Sequence, residues 1–332
     1  MPHVILSVEG LSVELPTDDG VVHAVRDVSF TVEAGQVLGI VGESGAGKSM
    51  TALAVMGLLP SWAEVGGSVR LRGRELVGAT DKQMAAVRGQ GMAMVFQDPT
   101  TALNPVHTVG RHLVDAVRAH QQVTRKQAHE LAVELLHTVG IPEPARRAGS
   151  YPHEFSGGMR QRVLIAMALA NDPYVIIADE PTTALDVTVQ AQVLETLEKV
   201  RLETNTAVVL ITHDLGVVAR TADRVLVMYA GRGVETGPID AVYQRPRMPY
   251  TAALLASVPH PSGDTITGEK ARLTSIEGTP PSLADLPPGC PFWPRCPMFR
   301  DECRQHEPEL RTVDGPDHRA ACHFSEELAP AR

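Results

Sequence analysis

The eight residues Gly42–Ser49, GESGAGKS, constrain this chain more than any other stretch. They follow directly on VLGIVG (Val37–Gly42), a short apolar run of the kind expected for a strand buried on both faces. SMTALAVMGLL (Ser49–Leu59) comes next and reads as a helix ended by Pro60. With the spacing G-x4-G-K-S set between a buried strand and a helix, the turn predicts a phosphate cradle. Glycines let backbone N–H groups curl around phosphate oxygens with no Cβ in the way. The helix N-terminus adds partial positive charge. Gly42, Glu43, Ser44, Gly45, Ala46, Gly47, Lys48 and Ser49 are thus expected to hold a nucleoside triphosphate. Lys48 reaches the β- and γ-phosphates, and the Ser49 hydroxyl ligates Mg²⁺.

The pattern around this loop is α/β. ILSVEGLSVEL (Ile5–Leu15) alternates, and VRDVSFTVEAG (Val25–Gly35) follows the turn TDDG, so both read as strands. GMAMVFQ (Gly91–Gln97) is a further buried strand. From about residue 98 to 158 the apolar spacing turns helical. Helix and strand then alternate through VLIAMALAN, YVIIADE, VQAQVLETLEKVRLE and AVVLITH, which implies a parallel sheet covered on both faces. RVLVMYAGRGVETG (Arg224–Gly237) reads as a closing hairpin. Near residue 258 the composition shifts, and Pro259–Gly289 reads as a linker ahead of a short tail. The division expected is an ATPase body over 1–257 and an extension over 258–332.

Two carboxylates, Asp179 and Glu180, close the strand YVIIAD. Beside a phosphate loop, Asp179 can orient the Mg²⁺ shell and Glu180 can polarise an attacking water. The 332 residues, 43% apolar, allow a full core plus an appendage. A net charge of −9 without a Lys/Arg cluster argues against a grip on nucleic-acid phosphates, and 4% aromatics against base-stacking platforms. The opening MPHVILSVEG shows no export signal, and runs such as Val163–Ala170 fall short of the ~20 residues of a membrane helix.

Further motifs narrow the class. FSGGMRQR (Phe155–Arg162) resembles the LSGGQ signature of the ABC ATPases, with Phe155 in place of Leu and Met159 in place of Gln. Gln97 resembles the Q-loop glutamine, TTALD (Thr182–Asp186) the D-loop, and His213 in ITHD the switch histidine, all in the ABC order. GESGAGKS, DPTTALNP, SGGMRQRV and TTALDVTVQAQ are similar to the dipeptide/oligopeptide (and nickel) importer branch over nearly the whole chain. The resemblance implies a P-loop NTPase of ABC type with an antiparallel β subdomain, a helical insertion and a Cys-rich tail. It implies that Gln97 contacts Mg²⁺ and the water, and that His213 contacts the γ-phosphate. Ser156, Gly157 and Gly158 act on ATP held by a second ATPase domain, and Asp186 positions the neighbouring site. Where family members stack an aromatic on adenine, this chain has Leu15, which gives apolar contact only; His23 is the alternative cover.

All four cysteines lie in the extension: Cys290, Cys296, Cys303 and Cys322, spaced C-x5-C-x6-C-x18-C. Four nearby thiolates can hold zinc or a [4Fe–4S] cluster, or stay free. No C-x2-C zinc knuckle is present, although His306, His318 and His323 leave a mixed Cys/His site open. CPFWPRCP resembles the C-terminal segment of peptide-importer ATPases, in which such cysteines bind [4Fe–4S]. A structural staple for a tail with little core of its own is the expected role.

The same resemblance implies an ATP-hydrolysing subunit on the cytoplasmic face of the membrane, energising a dipeptide or oligopeptide importer. Its partners are two membrane-spanning permease subunits, a related but non-identical ATPase subunit and, indirectly, an extracellular solute-binding protein. The segment after Gln97 together with the helical insertion is the expected permease contact. A nickel or other small-solute importer, and a non-transport ABC ATPase with a regulatory iron–sulfur site, are the alternatives.

Overall fold

Two long strands, β1 (Val4–Thr17) and β2 (Gly20–Glu33), pair antiparallel, and β3 (Val37–Val41) follows with every residue buried. The structure is a computed structural model that describes residues 3–18, 20–183, 185–257 and 276–328. After β3 come α1 (Lys48–Val55), β4 (Glu64–Leu71), β5 (Arg74–Glu75), α2 (Asp81–Ala85) and β6 (Met92–Val95). The helical insertion holds α3 (Pro99–Ala102), α4 (Val109–Arg118), α5 (Arg125–Thr138) and α6 (Pro144–Arg147), and leads into α7 (Gly157–Leu169). The chain continues through β7 (Val175–Asp179), α8 (Val187–Thr204), β8 (Ala207–Thr212), α9 (Leu215–Thr221), β9 (Arg224–Tyr229) and β10 (Arg232–Pro238). Helices α10 (Ile239–Gln244) and α11 (Pro249–Ala256) precede the cysteine segment, which contains α12 (Glu302–Gln305), β11 (Arg311–Thr312) and β12 (Arg319–Ala320). No helix among the described residues is long and apolar enough to cross a membrane.

The strands form two sheets. The smaller is antiparallel, in the order β2-β1-β4-β5; the larger runs β11-β12-β10-β9-β3-β8-β7-β6. Strands β9, β3, β8, β7 and β6 are parallel, as the helix–strand alternation predicts. Their side chains are mostly apolar on both faces because α7, α8 and α9 pack on one side and the smaller sheet together with α1 on the other. Each fully buried Val, Leu or Ile contributes roughly 1.5–3 kcal/mol. One core joins the larger sheet to the helical insertion and the cysteine segment; a second fills the space between the two sheets. In the insertion, Thr108 and Thr124 cap α4 and α5 by accepting the Arg111 and Gln127 N–H groups.

Two expectations are corrected. Helix α1 does not run to Pro60: it ends at Val55, and Gly57, at φ +61°, turns the chain out in the left-handed conformation that glycine tolerates. The hairpin β9–β10 does not close the sheet, because β12 pairs with β10 through Glu235↔Ala320 and β11 continues the edge. The cysteine segment shares the main core instead of forming one of its own. Phe292 is 1% exposed, and Cys290 and Cys303 belong to the main core. The part of the linker over 259–275 lies outside the described residues. Residues 276–289 form neither helix nor strand, yet Ile276, Leu283 and Leu286 pack on the main core.

Candidate functional site

Strand order sets the site. Strands β3, β8, β7 and β6 are neighbours, so the segments leaving their C-terminal ends form one row. These segments carry the phosphate loop, His213, Glu180 and Gln97 respectively. Ligand sites of open parallel sheets are found at this edge.

The phosphate loop leaves β3 at Gly42, where a Cβ would stand 2.2 Å from the Met228 carbonyl oxygen. At Gly45 (φ +80°) an added Cβ would meet nothing within 4 Å, and Ser44 and Gly45 are exposed. The loop is therefore open to a ligand on its outer side. Lys48 is 5% exposed and donates to the carbonyl oxygens of Gly42 (2.9 Å) and Glu43 (3.0 Å). Burial lowers its pKa, against the opposing pull of Glu180, Asp179 and Glu43. Its ammonium rests on neutral carbonyls that anionic phosphate oxygens can replace at a gain.

The Ser49 hydroxyl, at the start of α1, donates to Asp179 Oδ1 at the end of β7 over 3.0 Å. Burial raises the Asp179 pKa and the Glu180 charge adds to this, while the Ser49 bond and Lys48 oppose it. Hard oxygen donors side by side suit Mg²⁺, and Ser49 and Asp179 fit the ion that the phosphate loop implies.

Glu180 follows β7 in the left-handed region, φ +45°, which is sparsely populated by residues with a Cβ. Its N–H donates to the Ile211 carbonyl (2.8 Å), locking this turn to β8. Three side chains converge on its carboxylate. Gln97 Nε2 donates over 3.0 Å, Thr183 Oγ1 over 2.8 Å, and His213 Nδ1 lies 3.3 Å away. Burial pushes the Glu180 pKa up, but the Thr183 and His213 bonds and the charges of His213 and Lys48 outweigh it, and the group sits below its ordinary value. It is held as a carboxylate. Thr183 was missed as a site residue by sequence reasoning; the signal was its place three residues after Glu180, the reach of a turn hydrogen bond.

The remaining site residues lie apart from this row. Ser156 caps α7 by accepting the Met159 N–H (3.3 Å), and Ser156 and Gly157 are exposed. Gly158 is buried for an internal reason: a Cβ there would stand 2.0 Å from Val189 Cγ1 of α8. Asp186 is exposed and caps α8 through the Val189 N–H (3.0 Å). Leu15 is half-buried against the core between the sheets. His23 Nδ1 lies 3.3 Å from Glu14 Oε1, and β2 passes close to the loop, since a Cβ at Gly47 would meet the Ala24 carbonyl at 2.6 Å.

Cys290, Cys296, Cys303 and Cys322 line one apolar cavity with Phe292, Trp293 and others. All four are free thiols. Burial pushes the Cys290 thiol up to about 12 and Cys322 up to about 11, and raises Cys296. The donor set fits a group taking four thiolates, which must release protons on binding. Among the described residues, however, no three His, Cys, Asp or Glu side chains stand at metal-ligand spacing. His318, considered for a mixed site, instead lies 2.8 Å from the fully buried Glu235, and His323 Nε2 lies 3.0 Å from the His306 carbonyl.

Comparison with known proteins adds to this geometry. Residues 25–183 match the family model described as ABC transporter, and residues 234–303 match the model described as oligopeptide/dipeptide transporter, C-terminal region. The probable peptide ABC transporter ATP-binding protein y4tR of Sinorhizobium fredii is 49% identical, over 98% of this chain and 96% of that protein. The dipeptide transport ATP-binding protein DppD of Bacillus subtilis is 46% identical over the same shares. The oligopeptide transport ATP-binding protein OppD of Mycobacterium tuberculosis is 55% identical over 96% of this chain, which spans about half (51%) of that relative's length. Among solved structures, the dimeric post-hydrolysis state of the ATP-binding cassette MJ0796 bound to ADP and Pi has a TM-score of 0.63 at 26% identity. It covers 70% of this chain and 98% of its own.

Proposed function

Because this chain belongs to the ABC transporter ATPase family, in the branch that carries the oligopeptide/dipeptide transporter C-terminal region, we propose that it binds and hydrolyses Mg-ATP to drive peptide import. The observation that carries this reading is the convergence of Gln97, Thr183 and His213 on Glu180, two strands from a phosphate loop whose Ser49 already meets Asp179.

Residues 42–49 wrap the triphosphate, and Lys48 exchanges its carbonyl partners for phosphate oxygens. Ser49, Asp179 and Gln97 would hold Mg²⁺, which would supply charge neutralisation to the triphosphate. Glu180 stays ionised at neutral pH, so it orients and polarises the attacking water. His213 senses the γ-phosphate, and Leu15 or His23 covers the adenine.

Gly45 is open outward, while Ser156 and Gly157 offer a helix start on a separate exposed surface. This supports a head-to-tail pairing in which Ser156, Gly157 and Gly158 close on ATP held by a second, related ATPase subunit, with Asp186 beside it. Exposed Val106 (73%) and Phe96 (41%), and the polar groove of α4 and α5 lined by Arg111, Asp115, Arg118 and His129, support docking of two permease subunits. The chain then sits on the cytoplasmic face of the membrane, and an extracellular solute-binding protein acts through the permease. Cys290, Cys296, Cys303 and Cys322 would hold a [4Fe–4S] cluster as a staple, with no step of hydrolysis through it.

The test is co-expression with the chains encoded beside it, followed by purification and ATPase assay. Membrane chains and an ATPase partner should co-purify, and peptide-loaded receptor should stimulate hydrolysis. Full-rate hydrolysis by this chain alone, with no membrane partner, would count against the transport role. Stimulation by nickel instead of peptide would redirect the substrate.

A further inference from the structure

The phosphate loop is held from outside by the cysteine segment. Arg295 lies between Cys290 and Cys296, and its side chain is 4% exposed. Its two terminal nitrogens donate to the two carboxylate oxygens of Glu43, at 2.6 Å and 2.9 Å, across 252 residues of sequence. Nε donates to the Glu277 carbonyl (2.9 Å) and Nη1 also to the Tyr229 hydroxyl (3.3 Å), so the guanidinium is fixed on every side it presents. The Glu43 backbone is held as well: its N–H donates to the hydroxyl of fully buried Tyr250 over 2.8 Å. Tyr250 packs on Tyr229 and on Phe292 at ring separations of 4.5 Å and 5.4 Å. Glu43 is thus gripped through its main chain by Tyr250 of α11 and through its side chain by Arg295 of the cysteine segment, the two joined by the Tyr229–Tyr250–Phe292 cluster.

The charge logic gives the tie a consequence. Glu43 is the one acid of the phosphate loop, and its field is felt at Lys48. Paired bidentately with Arg295, the carboxylate is neutralised and turned toward the cysteine segment. Unpaired, it would repel the triphosphate and compete for the Lys48 ammonium. We propose that Arg295 is a positioning residue for nucleotide binding, which neutralises Glu43 and ties the phosphate loop to the four-cysteine segment. The proposal rests on the ATPase reading above and adds a residue outside its motifs. A shift of the loop around Cys290 and Cys296 is then transmitted to the ATP site through one ion pair.

The test is titration of the purified full-length chain with fluorescent ATP and Mg²⁺, with steady-state hydrolysis in the assembled complex. Arg295→Ala should weaken ATP binding at least about fivefold, in the range of coupled sites. It should raise KM far more than it lowers kcat, and Arg295→Lys should recover part of the loss. The double variant Arg295→Ala/Glu43→Gln should bind ATP more tightly than Arg295→Ala, because the uncompensated charge is gone. This rescue separates a charge effect from misfolding, since a merely unfolded single variant would not be restored by a second substitution. Wild-type affinity in Arg295→Ala, or a double variant no better than the single, overturns the inference alone. A wild-type chain that binds no nucleotide overturns the ATPase reading with it.

Discussion

Gln97 donates to the Glu180 carboxylate over 3.0 Å although 83 residues separate them in sequence. The bond links the ends of neighbouring strands β6 and β7, and with Thr183 and His213 it fixes the carboxylate in one place. Replacing Glu180 by Gln keeps the size and the Thr183 bond but removes the charge proposed to polarise water. Hydrolysis should fall by about 10²–10⁴-fold, the range for a positioned acid–base group, while ATP binding persists. Size-exclusion chromatography with ATP should show a trapped dimer. Hydrolysis at the wild-type rate would show that the assignment of Glu180 is wrong.

Gly158 lets α7 and α8 approach, because a Cβ there would fall 2.0 Å from Val189 Cγ1. Gly158→Ala should destabilise the fold by about 1–3 kcal/mol, as overpacking does. Val189→Ala in the same chain should restore much of the melting temperature. If the single variant melts like the wild type, the close packing of these helices is not as described.

The four thiols of the cysteine segment give a chemical readout. Cys290→Ala with Cys296→Ala should abolish a brown visible absorption and most bound iron in protein purified without oxygen. A colourless native protein, loaded with zinc or without metal, would refute the cluster.

Glu75 gives a stability test with a definite pH direction. Burial would raise its pKa, but bonds from the Ser68 hydroxyl and the Val69, Val77 and Leu76 N–H groups outweigh that and hold it at about 2, against an ordinary 4.5. The unfolded chain therefore takes up this proton more readily than the folded one. The stabilisation is fully present above pH 4.5 and is lost as pH falls toward 2. The carboxylate is partly exposed, so solvent screening keeps the effect small, about 1 kcal/mol or less. Glu75→Gln should lower the melting temperature at neutral pH, and the difference from wild type should shrink in acid. An equal difference at every pH would assign the effect to packing alone.

Much of the molecule was legible along the chain. VLGIV, VIIAD and AVVLIT are apolar up to their C-terminal ends because a central parallel strand is covered on both faces, and each is a strand of the larger sheet. The helical insertion was readable from apolar residues at three- and four-residue spacing. The end of α1 was not read correctly, since Gly57 and Pro60 both stop helices and only the backbone shows that the glycine acts first. Where the tail docks was not legible, because its own apolar residues are few; Phe292 finds its partners in Tyr229 and Tyr250, far away in sequence.

By itself the sequence determined the phosphate loop, because its chemistry is local: eight consecutive residues, a strand before and a helix after suffice to aim backbone N–H groups at one point. Tertiary structure alone decided that Gln97, Thr183 and His213 meet at Glu180, and that Arg295 reaches Glu43. Those meetings depend on the order in which strands lie side by side and on where the last segment docks. Both are settled by long-range packing of apolar surfaces, which no spacing within one segment encodes.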